Sequence, residues 1–333
     1  MHMSDALLSP AVGGAMWAAT AGVGARCAAA LRRSPDDRRV PLMGVLGAFV
    51  FAAQMVNFSI PGTGSSGHLG GGMLLAILLG PHAAFLVMAS VLTIQALFFA
   101  DGGLLALGCN IFNLAFFSSF LAYPLLFRPI AGNAPTRGRL VAGAMTGSVV
   151  ALALGALGVV LETTASGISS LPVVPFVLLM LPIHLAIGLV EGLVTSTVVL
   201  ALWRVRPDLV AGAANARSVR PVVVALAITA VLTGGIVSWF ASARPDGLEW
   251  SVARASGEAA EPAPTGVHAF LARLQGQTAI LPDYDFAGAG RTRGASQWPA
   301  VSGGTSAAGL VGATMTLGLA VLAGALIRRA RRR

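Results

Sequence analysis

Runs of about 20 apolar residues, long enough to span ~30 Å of hydrocarbon, recur along the chain. They are Leu7–Leu31, Val40–Ile60, Leu104–Phe127, Leu140–Leu161, Val173–Trp203, Val222–Phe240 and Gly309–Ile327. Between the second and third lies a further apolar stretch, GGMLLAILLGPHAAFLVMASVLTIQALFF, broken by Gly80-Pro81. Proline cannot continue a helical ladder, so this stretch divides into a short helix, Gly71–Leu79, and a longer one, His82–Phe99. The expected fold is an all-α integral membrane protein with nine membrane helices, the short one not crossing by itself. Composition agrees: hydrophobic residues make up 56% and charged residues 11% of the chain, against about 25% charged in soluble domains.

A boundary is expected near Ala211–Arg220. Residues 1–210 form a compact seven-helix core with short loops. Residues 211–333 form two transmembrane helices around a long polar segment, Ala241–Ser306, rich in Gly, Ala, Ser and Pro.

The net charge of +9 could suggest nucleic acid, but the placement of the arginines gives another reading. With the N-terminus outside, the short cytoplasmic segments hold Arg32, Arg33, Arg38 and Arg39, then Arg128, Arg137 and Arg139, then Arg204, Arg206, Arg217 and Arg220. The C-terminal RRARRR is cytoplasmic too, and the short outside loops hold no Arg. This is the positive-inside pattern of a plasma-membrane protein, and it leaves no case for nucleic-acid binding. The chain opens MHMSDALLSP, without the early basic residues of a cleavable signal peptide. Cys27 and Cys109 lie in apolar stretches, so no disulfide is expected.

Residues 60–72, IPGTGSSGHLGGG, imitate a phosphate loop. Gly62 and Gly67 have the Walker spacing, but His68 and Leu69 stand where Lys and Ser or Thr are needed. The chain contains no Lys at all. ATP hydrolysis is therefore left to other proteins. The same topology puts Met1, His2 and the glycine loop carrying His68 on one face.

That face has metal chemistry. The Met1 amine and the His2 amide nitrogen close a five-membered ring on an ion. The amide nitrogen and His2 Nδ1 close a six-membered ring, and the His68 imidazole completes four nitrogens. A planar nitrogen set suits Ni(II) or Cu(II) and penalises oxygen-seeking Mg(II) and Ca(II). Met1 is expected to be retained, because trimming requires a small second residue. The bland alternatives are a frayed terminus and a turn histidine among glycines that supply unusual backbone angles.

MHMSDALLSP, NFSIPGTGSSGHLGGGMLLAILLGPHAA and LTIQALFFADGGLLALGCNIFN closely resemble the CbiM/NikM family over about residues 1–205. These are substrate-capture membrane subunits of energy-coupling-factor (ECF) cobalt and nickel importers. The resemblance implies a seven-helix fold, a metal site at Met1, His2 and His68, a transmembrane coupling partner and two cytoplasmic ATPases. Ni(II) or Co(II) is then the transported substrate rather than a cofactor, with nickel slightly favoured. Pro245, Asp246, Gly247, Leu248 and Glu249 resemble the PDGLE-type (NikN/CbiN-like) accessory subunit, fused in frame over about 215–333.

Several polar residues lie in or beside apolar helices: Gln54, Asn57, Gln95, Asp101, Asn110 and Asn113. Such groups are costly in a membrane and are often functional. Asn57, Ser59 and Thr63 are expected as supporting residues nearest the metal. His184 and Glu191, seven apart, share a helix face and read as a structural hydrogen-bonded pair, or alternatively a metal pair. His268 is a candidate mobile metal carrier. Ala15, Ala19, Gly22, Ala25 and Ala29 form a small-residue face, for docking a partner or for packing within the core. Two rival functions fit less well. An intramembrane metal hydrolase lacks an H-E-x-x-H spacing, and a passive channel lacks rings of charge.

Overall fold

The computed structural model describes residues 2–33, 36, 38–211, 218–257, 264–286 and 298–330. The described chain is almost entirely helical. The first half runs α1 (Pro10–Arg33), α2 (Arg39–Gln54), a two-stranded hairpin of β1 (Phe58–Ser59) and β2 (Ser66–Gly67), α3 (Gly72–Leu79) and α4 (Pro81–Phe99). Then come α5 (Leu107–Ala131), α6 (Arg137–Ser166) and α7 (Val173–Val205). After a short turn of helix, Pro207–Ala211, follow α8 (Arg220–Gly235), α9 (Gly247–Ser256), α10 (Gly266–Thr278) and α11 (Gly303–Arg329).

Helices α4, α5, α6, α7 and α11 are long and apolar enough to cross a membrane, while α2 and α8 are apolar but only 16 residues each. The break at Gly80-Pro81 is present: α3 ends on Gly80 and α4 restarts at Pro81. Two other spans are shorter than their apolar runs. Val40–Ile60 stops being helical at Gln54, because the chain then pairs Phe58 with Gly67 and Ser59 with Ser66. Val222–Phe240 stops at Gly235 and finishes in a tighter turn, Val237–Phe240. The middle of α5, Phe112–Phe127, is wound in the wider π register and carries Pro124.

The C-terminal pair packs on the flank of α2 through small residues, which let helices approach closely in a membrane. A Cβ on Gly44 would stand 2.5 Å from Val321, and one on Gly47 3.2 Å from Thr316. Gly312 lies against the fully buried Phe51 ring. Helices α8 and α11 meet at Gly234 and Gly309, where a Cβ on Gly234 would be 3.1 Å from Gly309 backbone. The two cysteines are buried and free.

The segment joining α8 to α11 folds back over the end of the bundle that carries the hairpin. Ser66 N–H donates to Pro245 O at 2.8 Å, and Ser66 bridges in parallel to Asp246. Gln275 Nε2 donates to Ala96 O at 2.8 Å and Gly102 O at 2.7 Å. His268 Nε2 meets Leu8 O at 2.8 Å, so this residue ties α10 down, which runs against a mobile carrier role.

Candidate metal centre

His2 sits on a fixed stem. Met3 is fully buried. Its N–H donates to Asn110 Oδ1 at 2.8 Å, and its carbonyl accepts from Gly103 N–H at 2.8 Å and Asn110 Nδ2 at 3.3 Å. Asp5 accepts the Ala106 N–H at 2.9 Å. Residues 3–5 are thus held by the core. Met1, the first member of the expected site, lies outside the described residues.

The structure brings the other two members together: the His2 and His68 ring centroids are 5.0 Å apart, tilted by 31°. A chain of hydrogen bonds then fixes which His2 nitrogen is available. The Gly70 carbonyl can only accept, so Gln54 Nε2 is the donor to it, at 2.8 Å. Gln54 Oε1 therefore accepts from Gln95 Nε2 at 2.8 Å. That leaves Gln95 Oε1 facing His2 Nε2 at 3.0 Å, so Nε2 carries the proton and donates. Nδ1 faces the Asp101 carboxylate, and it is the nitrogen that a six-membered chelate ring needs. Partners of this kind set the tautomer and aim of metal-binding imidazoles.

His68 is oriented by its own backbone. Its Nδ1 lies 3.0 Å from Leu69 O, which can only accept, so Nε2 holds the lone pair. Burial lowers the His68 pKa to about 3, against the opposing pull of Asp246 and the Leu69 carbonyl. The ring is thus neutral and able to ligate at ordinary pH.

The glycine loop works by close approach. Gly71 has φ +79°, and a side chain at Gly72 would meet Leu114 O at 2.6 Å. Buried side chains satisfy the loop backbone, which a membrane interior demands. Glu191 Oε2 accepts from Gly70 N–H at 2.7 Å, while Gln54 takes the carbonyl side.

This corrects the expected His184–Glu191 pair. Seven residues of helix rise about 10.5 Å, beyond side-chain reach, and each group binds elsewhere. His184 Nδ1 lies 2.7 Å from Met180 O, and Glu191 holds the loop. The expected supporting trio is also differently placed. Ser59 Oγ meets Ser242 Oγ at 2.9 Å, Asn57 O accepts from Ser242 N–H at 2.8 Å, and Thr63 Oγ1 closes its own turn on Ile60 O at 2.9 Å. Among the described residues none of these bonds reaches His2 or His68: Ser59 and the Asn57 carbonyl meet the accessory segment, and Thr63 its own turn. Gln95, Gln54 and Asn110 hold the site instead. The cost of polar groups inside apolar helices had marked all three, though not their partners.

Two acids face the cluster without having been singled out for it. Asp101 Oδ1 is 3.4 Å from His2 Nδ1 and is held by Tyr284, whose hydroxyl donates to Oδ2 at 2.5 Å. Asp246 lines a small cavity with His68, His184, Gly67, Gly70 and Gly247. Burial alone would raise the Asp246 pKa, but opposing interactions, the Glu249 amide hydrogen bond among them, outweigh it and hold the carboxyl below its ordinary range.

The five residues Pro245–Glu249 have a local logic. Pro245 offers its carbonyl to Ser66. Asp246 caps α9, accepting from Glu249 N–H at 2.8 Å, while Glu249 Oε2 accepts from Asp246 N–H at 3.2 Å, a reciprocal capping box. At Gly247 a Cβ would stand 2.5 Å from Ile183 and 3.5 Å from His184 Cε1, and Leu248 is buried.

Among the described residues no three His, Cys, Asp or Glu side chains gather into an ion-holding group. Fold and site together define a multi-pass helical membrane protein with a histidine cluster at one end of its bundle. The chain belongs to the family described as the cobalt uptake substrate-specific transmembrane region, whose model matches residues 2–209, and it carries a PDGLE domain matched over 220–329.

Its relatives are metal transport proteins. It is 39% identical over 215 residues to a provisionally named metal transport protein of Haloquadratum walsbyi, covering 63% of this chain and 93% of that one. It is 33% identical over 226 residues to the fused nickel transport protein NikMN of Rhodobacter capsulatus, covering 63% of this chain and 64% of that one. It is 32% identical over 257 residues to the cobalt transport protein CbiM of Geobacter sulfurreducens, covering 72% and 71%. The crystal structure of a transition metal transporter superposes with a TM-score of 0.54 at 32% identity, covering 62% of this chain and 93% of that one. These findings place the chain among metal transporters, not hydrolases.

Proposed function

We propose that the chain is the substrate-capturing membrane subunit of an ATP-driven ECF importer for Ni(II) or Co(II). In this reading the core of residues 1–210 holds the ion, and residues 211–333 form the fused accessory unit. The hairpin end faces outside the cytoplasm and the C-terminus inside. The observation that carries the reading is the pair of imidazoles 5.0 Å apart, with His2 anchored through Nε2 on Gln95 and His68 through Nδ1 on the Leu69 carbonyl. The Met1 amine and the His2 amide nitrogen complete four nitrogens. Planar nitrogen sets suit Ni(II), so nickel is the preferred ion of this reading.

A transmembrane coupling subunit and two cytoplasmic ATPases supply the energy. Ala15, Ala19, Gly22 and Ala25 are exposed on α1, and a Cβ on Gly22 would meet nothing within 4 Å. An open small-residue face suits close approach of a partner helix. The test is reconstitution. Vesicles with the purified chain alone should bind metal without concentrating it, and adding the coupling subunit, both ATPases and ATP should start accumulation. Sustained uptake by the chain alone, without ATP or an ion gradient, would falsify the reading.

A further inference from the structure

His184 is 1% exposed, and its Nε2 has no hydrogen-bond partner among the described residues. Its Nδ1 is committed to Met180 O at 2.7 Å. A carbonyl only accepts, so Nδ1 carries the proton and Nε2 is a bare lone pair. A buried polar atom without a partner is uncommon and calls for a reason. Histidine is an expensive way to fill an apolar helix, since leucine would pack there without an orphan. The ring has the same tautomer as His68 and lines the same cavity, which Asp246 lines too.

We propose that His184 is a metal-binding residue of a second, inner station, which takes Ni(II) or Co(II) after the ion leaves His2. The proposal rests on the capture reading above. His184, His68 and Asp246 line the cavity from α7, the glycine loop and the accessory segment respectively. They are not gathered into a closed ligand set in this structure. The inner station is therefore looser than the outer one and is completed by water. That is the property a transit site needs: it accepts the ion without trapping it. His68 serves both stations, so the ion can pass inward without losing every nitrogen at once. Borderline ions with imidazole and carboxylate ligands are the matching chemistry. The close approach of Gly247 to His184 makes the accessory segment one wall of the station, so that wall moves whenever α9 lifts off α7.

The test uses the full chain purified in detergent, titrated with Ni(II) and with Co(II) by calorimetry. His2→Ala should weaken binding about 1,000-fold or more and leave a residual weak site. The double variant His2→Ala/His184→Leu should lose that residual site by a further tenfold or more. His184→Leu alone should keep the native affinity within about twofold, yet slow ATP-driven uptake in the reconstituted importer tenfold or more. If Leu disturbs folding, His184→Gln can donate to Met180 O and still lacks the imidazole, so it carries the same comparison. Residual binding that survives loss of His184, or no residual site in His2→Ala, would overturn the inner station and leave the orphan nitrogen to water. If His2→Ala itself binds with native affinity, the outer site is misassigned. The inner station then stands on His184→Leu against the native chain, and equal affinities there overturn it.

Discussion

His2 and Asp246 approach one histidine cluster from opposite parts of the sequence, and they are held in different ways. His2 is held by the core. Its neighbour Met3 is fully buried and bracketed by Asn110 and Gly103, and its ring is aimed by Gln95. Asp246 is held by secondary structure of its own making: the capping box of α9 and main-chain pairing with Ser66. Behind Asp246 the apolar anchoring is thin, and α10 is tied down by the polar contacts of His268 and Gln275. Gly247, Leu248 and Ser251 are the buried residues of α9, and α10 has none. Burying polar groups in full partnership makes a rigid, expensive seat. A capped helix docked by a few contacts opens at low cost. One region suits holding the ion and the other suits letting it in or out.

The comparison breaks first at the seat. Adding one residue before Met1, or making His2→Ala, should weaken Ni(II) binding by about 1,000-fold or more, roughly 4 kcal/mol, in a calorimetric titration. His68→Ala removes one imidazole and leaves the N-terminal chelate, so its loss should be smaller, about 10- to 100-fold. Gln95→Leu removes the acceptor of the His2 Nε2 proton and strands Gln54 Oε1. It should cost about tenfold in affinity, and Gln95→Glu, which keeps an acceptor, should recover part of that.

The thinly anchored side should respond differently. Gly247→Val puts a branched side chain against Ile183, where a Cβ alone comes within 2.5 Å. It should change equilibrium affinity less than tenfold, while hydrogen exchange across α9 rises strongly. The smallest effect is expected from Glu249→Ala. Loss of half the capping box should cost about 1 kcal/mol or less, read as reduced exchange protection confined to α9. If Gly247→Val abolished metal binding as His2→Ala does, the seat and its cover would be one structure and the comparison would fail.

Much of this was legible in the sequence. Apolar run length marks α4, α5, α6, α7 and α11, and Gly80-Pro81 marks the break between α3 and α4, while α1 is not among the helices long and apolar enough to cross a membrane. His2 and His68 share a face once arginine placement orders the loops. The helix end at Gln54 was not legible, because Met55–Ile60 continues an apolar run and only pairing with Ser65–Gly67 ends it. Nor was the meeting of Ser66 with Pro245 and Asp246. It joins residues far apart in the chain, and no local pattern encodes such a contact. His184 was visible as an intramembrane histidine, but its orphan nitrogen depends on Met180 taking Nδ1 and on Gly247 leaving room beside it. The supporting residues were misplaced for a related reason. Proximity in sequence pointed to Asn57, Ser59 and Thr63, while the hydrogen-bond relay uses α2 and α4, whose helical faces meet across the bundle.

The central claim is that main-chain and imidazole nitrogens hold the transported ion. X-ray absorption of the Ni(II)-loaded full chain with a native N-terminus tests it most directly. The account predicts four nitrogen donors in a planar arrangement, with scattering from two imidazoles, one of which disappears in His68→Ala. A six-coordinate, oxygen-rich shell that His2→Ala and His68→Ala leave unchanged would contradict it.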